Sequence, residues 1–574
     1  MTRRTSTPVL IVGAGPAGLV TALVLARQGV RSTLVERHPG TSTHPRASGV
    51  STRSMEIFRR LGVEDEIRAR SLDAIPLMSM SASLASPARQ VAPLGFPTSE
   101  QAATVSPTGP TISPQDHVEP VLLRRIEALG LTDVRFSTEV LALRQGASAV
   151  ETTVVDRTTG ERSVVHAEYV VAADGARSTV RDLLGIDVIG PAGFEHYASI
   201  LFRANLWPVV GEPRYGLYML GGPGVRPAIV APMGPDDRFV FGQPGSPEAV
   251  AAMVADPELA KAAIRTAAGV PDLEVDVLAS MPLEFGAQLA TRWRDGSVFL
   301  VGDAAHRMPP FGGRGMNTAV ADAYNLGWKL ATVLTGVASP ALLDSYEAER
   351  MPVGRHNVSL ALARHPELAA RHGLALDPAS AAGPNGTPDG LAEDLGYRYA
   401  SDVVSATAGS RAPHAWLTTR AGVVSTIDVA ADGFVLLANG DGAAWRRAAS
   451  AFRAPRGFLR GLAAVGPAMA FSPAFELPVV SVGEDARDRD GSFAAAYGLG
   501  AGGAVLVRPD GHVAARWTEA PADHRAEVGR AIAVALGHIR PSATRPAATP
   551  GLATVTPGQA AAAGRERPFE PARA

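Results

Sequence analysis

Residues 9–36 carry the pattern that narrows the fold most. Val9–Val12 is a short apolar run suited to a buried parallel strand. Gly13-Ala14-Gly15-Pro16-Ala17-Gly18 turns the chain, Leu19–Gln28 has helical character and Gly29 stops it. Ser32–Val35 is a second apolar run, ending at Glu36. This is a βαβ unit with Gly13-x-Gly15-x-x-Gly18 between its first strand and its helix, the context that gives the motif meaning. Gly13 permits the tight turn, Gly15 lets the backbone approach a pyrophosphate, and Gly18 lets helix and strand pack closely. The helix that follows the turn presents its N-terminus to an anion. An acid at Glu36 suits the ribose hydroxyls of an adenine dinucleotide, and Arg37 beside it is a further candidate contact. The pattern does not separate FAD from NAD.

Composition removes several alternatives. The chain has 574 residues, 46% hydrophobic and 19% charged, which is a core-forming composition long enough for several domains. A net charge of −2 gives no reason to expect nucleic acid or an anionic membrane as a partner. The chain has no cysteine, so disulfides, zinc–cysteine sites, iron–sulfur clusters, thiol nucleophiles and CxxC redox centres are excluded. No HExxH or comparable spacing suggests a metal. Met1–Arg4 is basic and Val9–Ala26 mostly apolar, which imitates a signal peptide or membrane span. Gly13, Gly15, Pro16 and Gly18 break that stretch as one helix, so a cytoplasmic protein is expected, with no membrane partner.

Two later junctions discriminate between cofactors. Val170–Ala172 leads into Ala173-Asp174-Gly175-Ala176-Arg177-Ser178. Phe299–Val301 leads into Gly302-Asp303-Ala304-Ala305-His306 and on to Pro309-Pro310-Phe311-Gly312-Gly313-Arg314-Gly315-Met316-Asn317. Asp303 at a strand end can accept hydrogen bonds from a polyol, and the 312–317 loop offers backbone N–H groups to a developing anion. Each junction alone also reads as an ordinary Asp-capped turn; three in this order do not.

These motifs resemble those of the class A flavoprotein monooxygenases, the FAD-dependent aromatic hydroxylases. The resemblance runs from about Val9 to Asn357. The stretches His44–Val50, Arg53–Gly62 and Pro114–Leu123 are similar to the larger phenol and polyketide hydroxylases. Gly409–His414 and Leu506–Ala514 resemble the thioredoxin-like C-terminal domain of that subgroup, here without cysteine and so with a packing or assembly role. The implied fold is α/β: a Rossmann-like FAD-binding domain of the para-hydroxybenzoate hydroxylase type (1–76, 105–185 and 275–390), a mixed β-sheet substrate domain (77–104 and 186–274), a thioredoxin-like domain (395–540) and a disordered tail (541–574). A linker is expected over 374–392.

The resemblance also implies roles. Gly13, Gly15, Pro16, Ala17 and Gly18 would hold the FAD pyrophosphate, and Glu36 and Arg37 the adenosine end. Arg46 and Gln115 match positions near the pyrophosphate and ribityl chain, and Arg46 is also a catalytic candidate. Asp174 matches an acid shared between FAD and NADPH function. Gly302 and Asp303 match the ribityl site. Gly313, Gly315, Met316 and Asn317 would face the flavin ring, and the Pro310 carbonyl would border the reacting substrate. Arg124 stays open between a cofactor contact, as in relatives with an Arg after the Gln, and a solvated helical Arg, and His306 is expected to make local hydrogen bonds. The implied reaction uses NADPH (or NADH) and O2, with a C4a-hydroperoxyflavin as oxygen donor and a small aromatic molecule as acceptor.

A pocket between the flavin and the strands of residues 199–243 is expected. By alternation Tyr215, Leu217 and Met219 share one face, opposite to Tyr218. Tyr215, Met219, Phe239, Pro310 and Phe311 are the candidate substrate residues, although the pattern does not say which strand faces line the pocket and core packing is the better reading for any single strand residue. No obvious carboxylate-clamping Arg stands out, which favours a large, mainly apolar polyphenol of the polyketide type over a small benzoate. Baeyer–Villiger oxidation, epoxidation, antibiotic inactivation and non-catalytic FAD binding stay open, as does the oligomeric state.

Overall fold

The computed structural model describes residues 3–45, 47–222, 225–363, 365–376, 390–405, 408–429, 433–452 and 476–540. The expected tail beyond 540, and most of the expected linker, lie outside them. Parallel strands run in the order Val298–Leu300, Arg162–Ala172, Arg3–Val12, Ser32–Val35, Thr132–Arg135. The first strand begins at Arg3, not Val9, because Arg162–Ala172 pairs with it from Arg3↔Ser163 to Val12↔Ala172. Ladder hydrogen bonds there override the polarity of Arg3–Thr7. Helix Pro16–Arg27 is buried from Ala17 to Ala26. It packs on helix Arg314–Leu334, where a Cβ at Gly327 would come within 2.8 Å of Val24.

A second, seven-stranded sheet runs Asp276–Phe285, Glu195–Arg203, Arg238–Pro244, Val225–Pro232, Tyr215–Gly222, Ile75–Ser81, Gln90–Pro93. Its pairs are antiparallel except Tyr215–Gly222 with Ile75–Ser81. Asp276–Phe285, expected with the flavin domain, is thus an edge strand of this sheet. Helices Pro247–Ala255 and Pro257–Ala268 contribute Val250, Met253 and Ile264 to a core with Ile200, Phe202, Tyr218, Val230, Phe239 and Phe241. The opposite face carries Leu201, Ala231 and Met233, with Leu217 and Val240 against them.

The C-terminal sheet is also seven-stranded, with Val435–Asn439 parallel to Val479–Val482 and antiparallel to Ala504–Val507. The expected hairpin pairs Ala504–Val507 with Val513–Trp517. Its turn is driven into the flavin domain: Arg53 and Arg60 donate to the carbonyls of Asp510 and Pro509, and Arg508 reaches Glu349. Beyond the linker, Gly390–Leu395 is a helix, tied down by Arg314–Glu393 and by the Arg53 N–H to Asp394.

This interface makes stability depend on pH. Burial pushes the His512 imidazole down from 6.5 to about 4, against the pull of Asp510. Burial alone would raise Glu56, but Arg411 and Arg53 outweigh it and bring its carboxyl from 4.5 to about 2. In the unfolded chain His512 takes up a proton below its ordinary value while the folded protein resists. Glu56 likewise protonates first in the unfolded chain. Both therefore contribute stability at neutral pH that is lost on acidification, His512 between 6.5 and about 4 and Glu56 between 4.5 and about 2. Burial lowers His117, His356 and His414 in the same direction. Denaturant titrations should show stability falling through the upper window, and His512→Gln should reduce that fall.

Candidate functional site

The three motifs meet at the C-terminal ends of the parallel strands, where doubly wound folds bind ligands. Gly13 has φ +105°, and a Cβ on it would lie 2.3 Å from the Ala173 carbonyl oxygen. A Cβ at Gly18 would lie 1.9 Å from the Gly13 carbonyl oxygen. A Cβ at Gly15 would meet nothing within 4 Å. Two of the glycines are thus required by the protein's own backbone and the third faces open space. Gly15 is the N-cap of helix Pro16–Arg27, and no side chain caps that end. The first-turn N–H groups, which no helix satisfies internally, are left for an anion. This arrangement fits the pyrophosphate of FAD.

Glu36 sits at the rim. Its Oε2 accepts from the Ala14 N–H at 2.8 Å and its Oε1 from the His38 N–H at 2.9 Å. Arg37 is exposed beside it. Asp174 follows the strand next to Gly13; its carboxylate accepts from Ser178 Oγ at 2.6 Å and from the Val180 N–H at 3.0 Å. Burial raises its pKa against those donors. Gln115 begins helix Gln115–Leu129 and donates to Glu119 at 2.6 Å. Its neighbour Asp116 takes the Arg238 guanidinium at 2.5 Å, joining the flavin domain to the second sheet. Arg124 is exposed and reaches Glu66 at 3.3 Å. Arg46 lies outside the described residues.

Gly302 (φ +62°) occupies the gap between two helix starts: a Cβ there would come within 3.0 Å of the Ala319 Cβ and 3.2 Å of the Ala17 Cβ. Asp303, next to it, is exposed at the tip of this turn. The following loop turns at Gly312 (φ +76°) and Gly313 (φ +59°) and enters helix Arg314–Leu334, again with no side-chain cap. The N–H groups of Gly315 and Met316 belong to its first turn and have no intrahelical acceptor. Pro310 is exposed, and its carbonyl accepts from the Gly313 N–H at 3.0 Å.

The Asn317 side chain is taken up by backbone. It donates to the carbonyls of Gly49 (3.0 Å) and Gly313 (2.7 Å) and accepts from the Ser51 N–H (2.9 Å). Phe96, which sequence reasoning missed, fills the same seam: a Cβ at Gly49 or at Gly313 would come within 2.6 Å of its ring. The sequence signal was indirect, in glycines on separate segments that all leave room for one aromatic ring.

The substrate-side expectations divide. Phe239 is buried among the helix-covered core, with Phe202 at 5.8 Å and Trp207 at 5.1 Å between ring centroids, and so faces away from the flavin loop. Tyr215 joins the same core beside Tyr218. Simple alternation failed for Tyr215 because the pairing with Ile75–Ser81 slips between Tyr215 and Leu217. Leu217 does lie on the other face, and Met219, two residues on, is half-buried. Phe311 meets Phe285 edge-on at 5.7 Å, and Phe285 stacks on Tyr197 at 4.4 Å, joining the flavin loop to the end of the second sheet. Phe285 and Tyr197 carried no motif and were not anticipated.

Comparison with known proteins gives two family matches: an FAD binding domain over residues 6–361 and the C-terminal domain of aromatic-ring hydroxylases over residues 405–538. The chain belongs to the FAD-dependent aromatic-ring hydroxylases. Within this family it is 36% identical to the tetracenomycin A2 monooxygenase-dioxygenase of Streptomyces glaucescens, over 92% of this chain and 96% of that protein. Among solved structures, the flavin-dependent monooxygenase PieE in complex with FAD and substrate matches with a TM-score of 0.81 at 32% identity, covering 93% and 99% of the two chains. Aklavinone-11 hydroxylase with FAD and aklavinone matches at 0.78 and 32%, covering 92% and 99%. This hydroxylase is therefore an FAD-dependent monooxygenase with the expected α/β architecture. Among the described residues no helix is long and apolar enough to cross a membrane, and no cluster of His, Cys, Asp and Glu could hold a metal ion.

Proposed function

We propose that this protein hydroxylates a polycyclic aromatic of the polyketide type, using NADPH or NADH and O2. The observation that carries this reading is the apolar face of the second sheet, with Leu201, Leu217, Ala231, Met233 and Val240, together with the Phe311–Phe285–Tyr197 series at its end. Such a surface desolvates a flat, multi-ring substrate. The similarity to proteins named for tetracenomycin and aklavinone supports it.

Bound FAD would supply the hydride-accepting and oxygen-activating chemistry. The first-turn N–H groups of Ala17 and Gly18 hold the pyrophosphate, Glu36 and Arg37 the adenosine end, and Asp303 the ribityl chain. Gln115 and Asp174 complete the surroundings of the cofactor, and Arg46 is a further candidate from the family resemblance alone. The N–H groups of Gly315 and Met316 stabilise negative charge on the ring system. Pro310, Phe311 and Met219 border the substrate and exclude water. The family resemblance implies that the nicotinamide docks transiently on the flavin face rather than in a domain of its own. The apolar N-terminal run is built into the first strand and helix, which supports a cytoplasmic enzyme.

The test is product mass after aerobic turnover with NADPH under labelled oxygen gas, across polycyclic phenols and quinones. One labelled atom in an intact ring system is the expected result. A lactone or its hydrolysed acid would transfer the assignment to Baeyer–Villiger oxidation. NADPH consumed with only peroxide formed, across the whole panel, would overturn the substrate class.

A further inference from the structure

Asp322 is fully buried on helix Arg314–Leu334, beneath the flavin-binding turn. Its Oδ2 accepts from His306 Nε2 at 2.6 Å and lies 3.4 Å from the Gly302 N–H. Gly302 and His306 are the two ends of the turn whose exposed tip is Asp303, so one carboxylate oxygen grips both ends. The other oxygen accepts from Arg350 Nε at 2.7 Å. Arg350 is itself buried; its remaining nitrogens reach the Tyr399 hydroxyl at 3.3 Å and the Thr318 carbonyl at 3.4 Å. Because Gly302 is wedged between Ala17 and Ala319, the turn has little slack once Asp322 holds it.

We propose that Asp322 is a positioning residue for FAD: it fixes the Gly302–His306 turn so that Asp303 meets the ribityl chain, with Arg350 as its counter-ion. The proposal rests on the reading of Asp303 given above. It also explains why a histidine sits in the Gly-Asp motif without facing the reaction. His306 is 1% exposed and donates to Asp322.

The test measures the FAD dissociation constant of the apoprotein by quenching of flavin fluorescence, for Asp303→Ala, Asp322→Asn and the double variant. Asp322→Asn should weaken FAD about tenfold or more, since one tenfold step corresponds to the loss of a single good polar contact. If Asp322 acts through Asp303, the double variant should bind no worse than Asp303→Ala to within about threefold. Multiplying losses in the double variant, or an unchanged constant in Asp322→Asn, would overturn the proposal. An unchanged constant in Asp303→Ala would overturn the reading of Asp303 and the proposal with it, so the two failures are told apart. Should Asp322→Asn not fold, as judged by circular dichroism, the comparison of His306→Leu with His306→Gln takes its place. Leucine should weaken FAD and glutamine restore it, because the amide N–H reaches Asp322 from the position of Nε2. Equal constants for the two would count against it.

Discussion

Gly15→Ala should leave this protein folded and largely without its flavin. Gly15 has φ −75° and ψ −179°, a conformation open to any residue, and its Cβ would touch no protein atom. The cost to stability should stay below about 1 kcal/mol, the scale of an N-cap change. On the proposed reading the pyrophosphate approaches through that open space, so a methyl group there should weaken FAD by roughly ten- to a hundredfold, or about 1.4 to 2.8 kcal/mol. Gly18→Ala gives the contrasting result. Alanine is the better helix former by about 1 kcal/mol, but its Cβ would overlap the Gly13 carbonyl at 1.9 Å. That variant should lose thermal stability and flavin together. Retained yellow colour after gel filtration and melting temperature separate the two cases. A Gly15→Ala protein that binds FAD like wild type would remove the anion site from this turn.

Arg508→Leu should destabilise the protein by about 3 to 5 kcal/mol, the range for breaking a buried ion pair from one side. Arg508 is fully buried and bidentate on Glu349, with bonds of 2.7 and 2.8 Å, and it also holds Asp510. Glu349 further accepts from Lys329 at 2.7 Å, Asn325 at 2.8 Å and Ser401 at 2.7 Å. Two cations balance two carboxylates there. Removing Arg508 leaves Glu349 and Asp510 facing Lys329 alone, away from water. An exposed counterpart shows the effect of burial. Arg446 pairs with Glu484 at 2.8 Å and Asp485 at 2.6 Å on the surface, and Arg446→Leu should cost no more than about 1 kcal/mol. Urea denaturation of both variants checks the difference. Because Arg508 belongs to the C-terminal domain and Glu349 to the flavin domain, a large loss would also establish that the cysteine-free domain acts as a packing partner.

The glycine turn was legible because its requirements are local. Gly13, Gly15 and Gly18 stand within one turn, and steric demand on each shows as a missing side chain whatever the rest of the chain does. Asp174 and Asp303 follow apolar strand runs, so their places at strand ends were legible locally, while the roles assigned to them came from the family resemblance. The substrate side was not legible to the same degree. Tyr215 and Phe239 are candidates from single strands, where alternation says which residues share a face but not which face is covered by helices. A slipped register beside Ile75–Ser81 then moved Tyr215 into the covered core.

Other features joined residues too far apart in the chain for any pattern to connect. Phe96 between Gly49 and Gly313, Asn317 bound to the backbone of residues 49–51, and the Arg508–Glu349 pair are of this kind. So is the grip of Asp322 on the turn that carries Asp303. By itself the sequence determined the βαβ dinucleotide-binding unit and the absence of thiol chemistry, because short-range backbone geometry and composition impose them, while the flavin chemistry came from the resemblance to the aromatic hydroxylases. Only the tertiary structure decided which sheet face the helices cover and how the C-terminal domain is locked in place. Those outcomes depend on burial and on long-range pairing of charges, which are properties of packing and not of spacing along the chain.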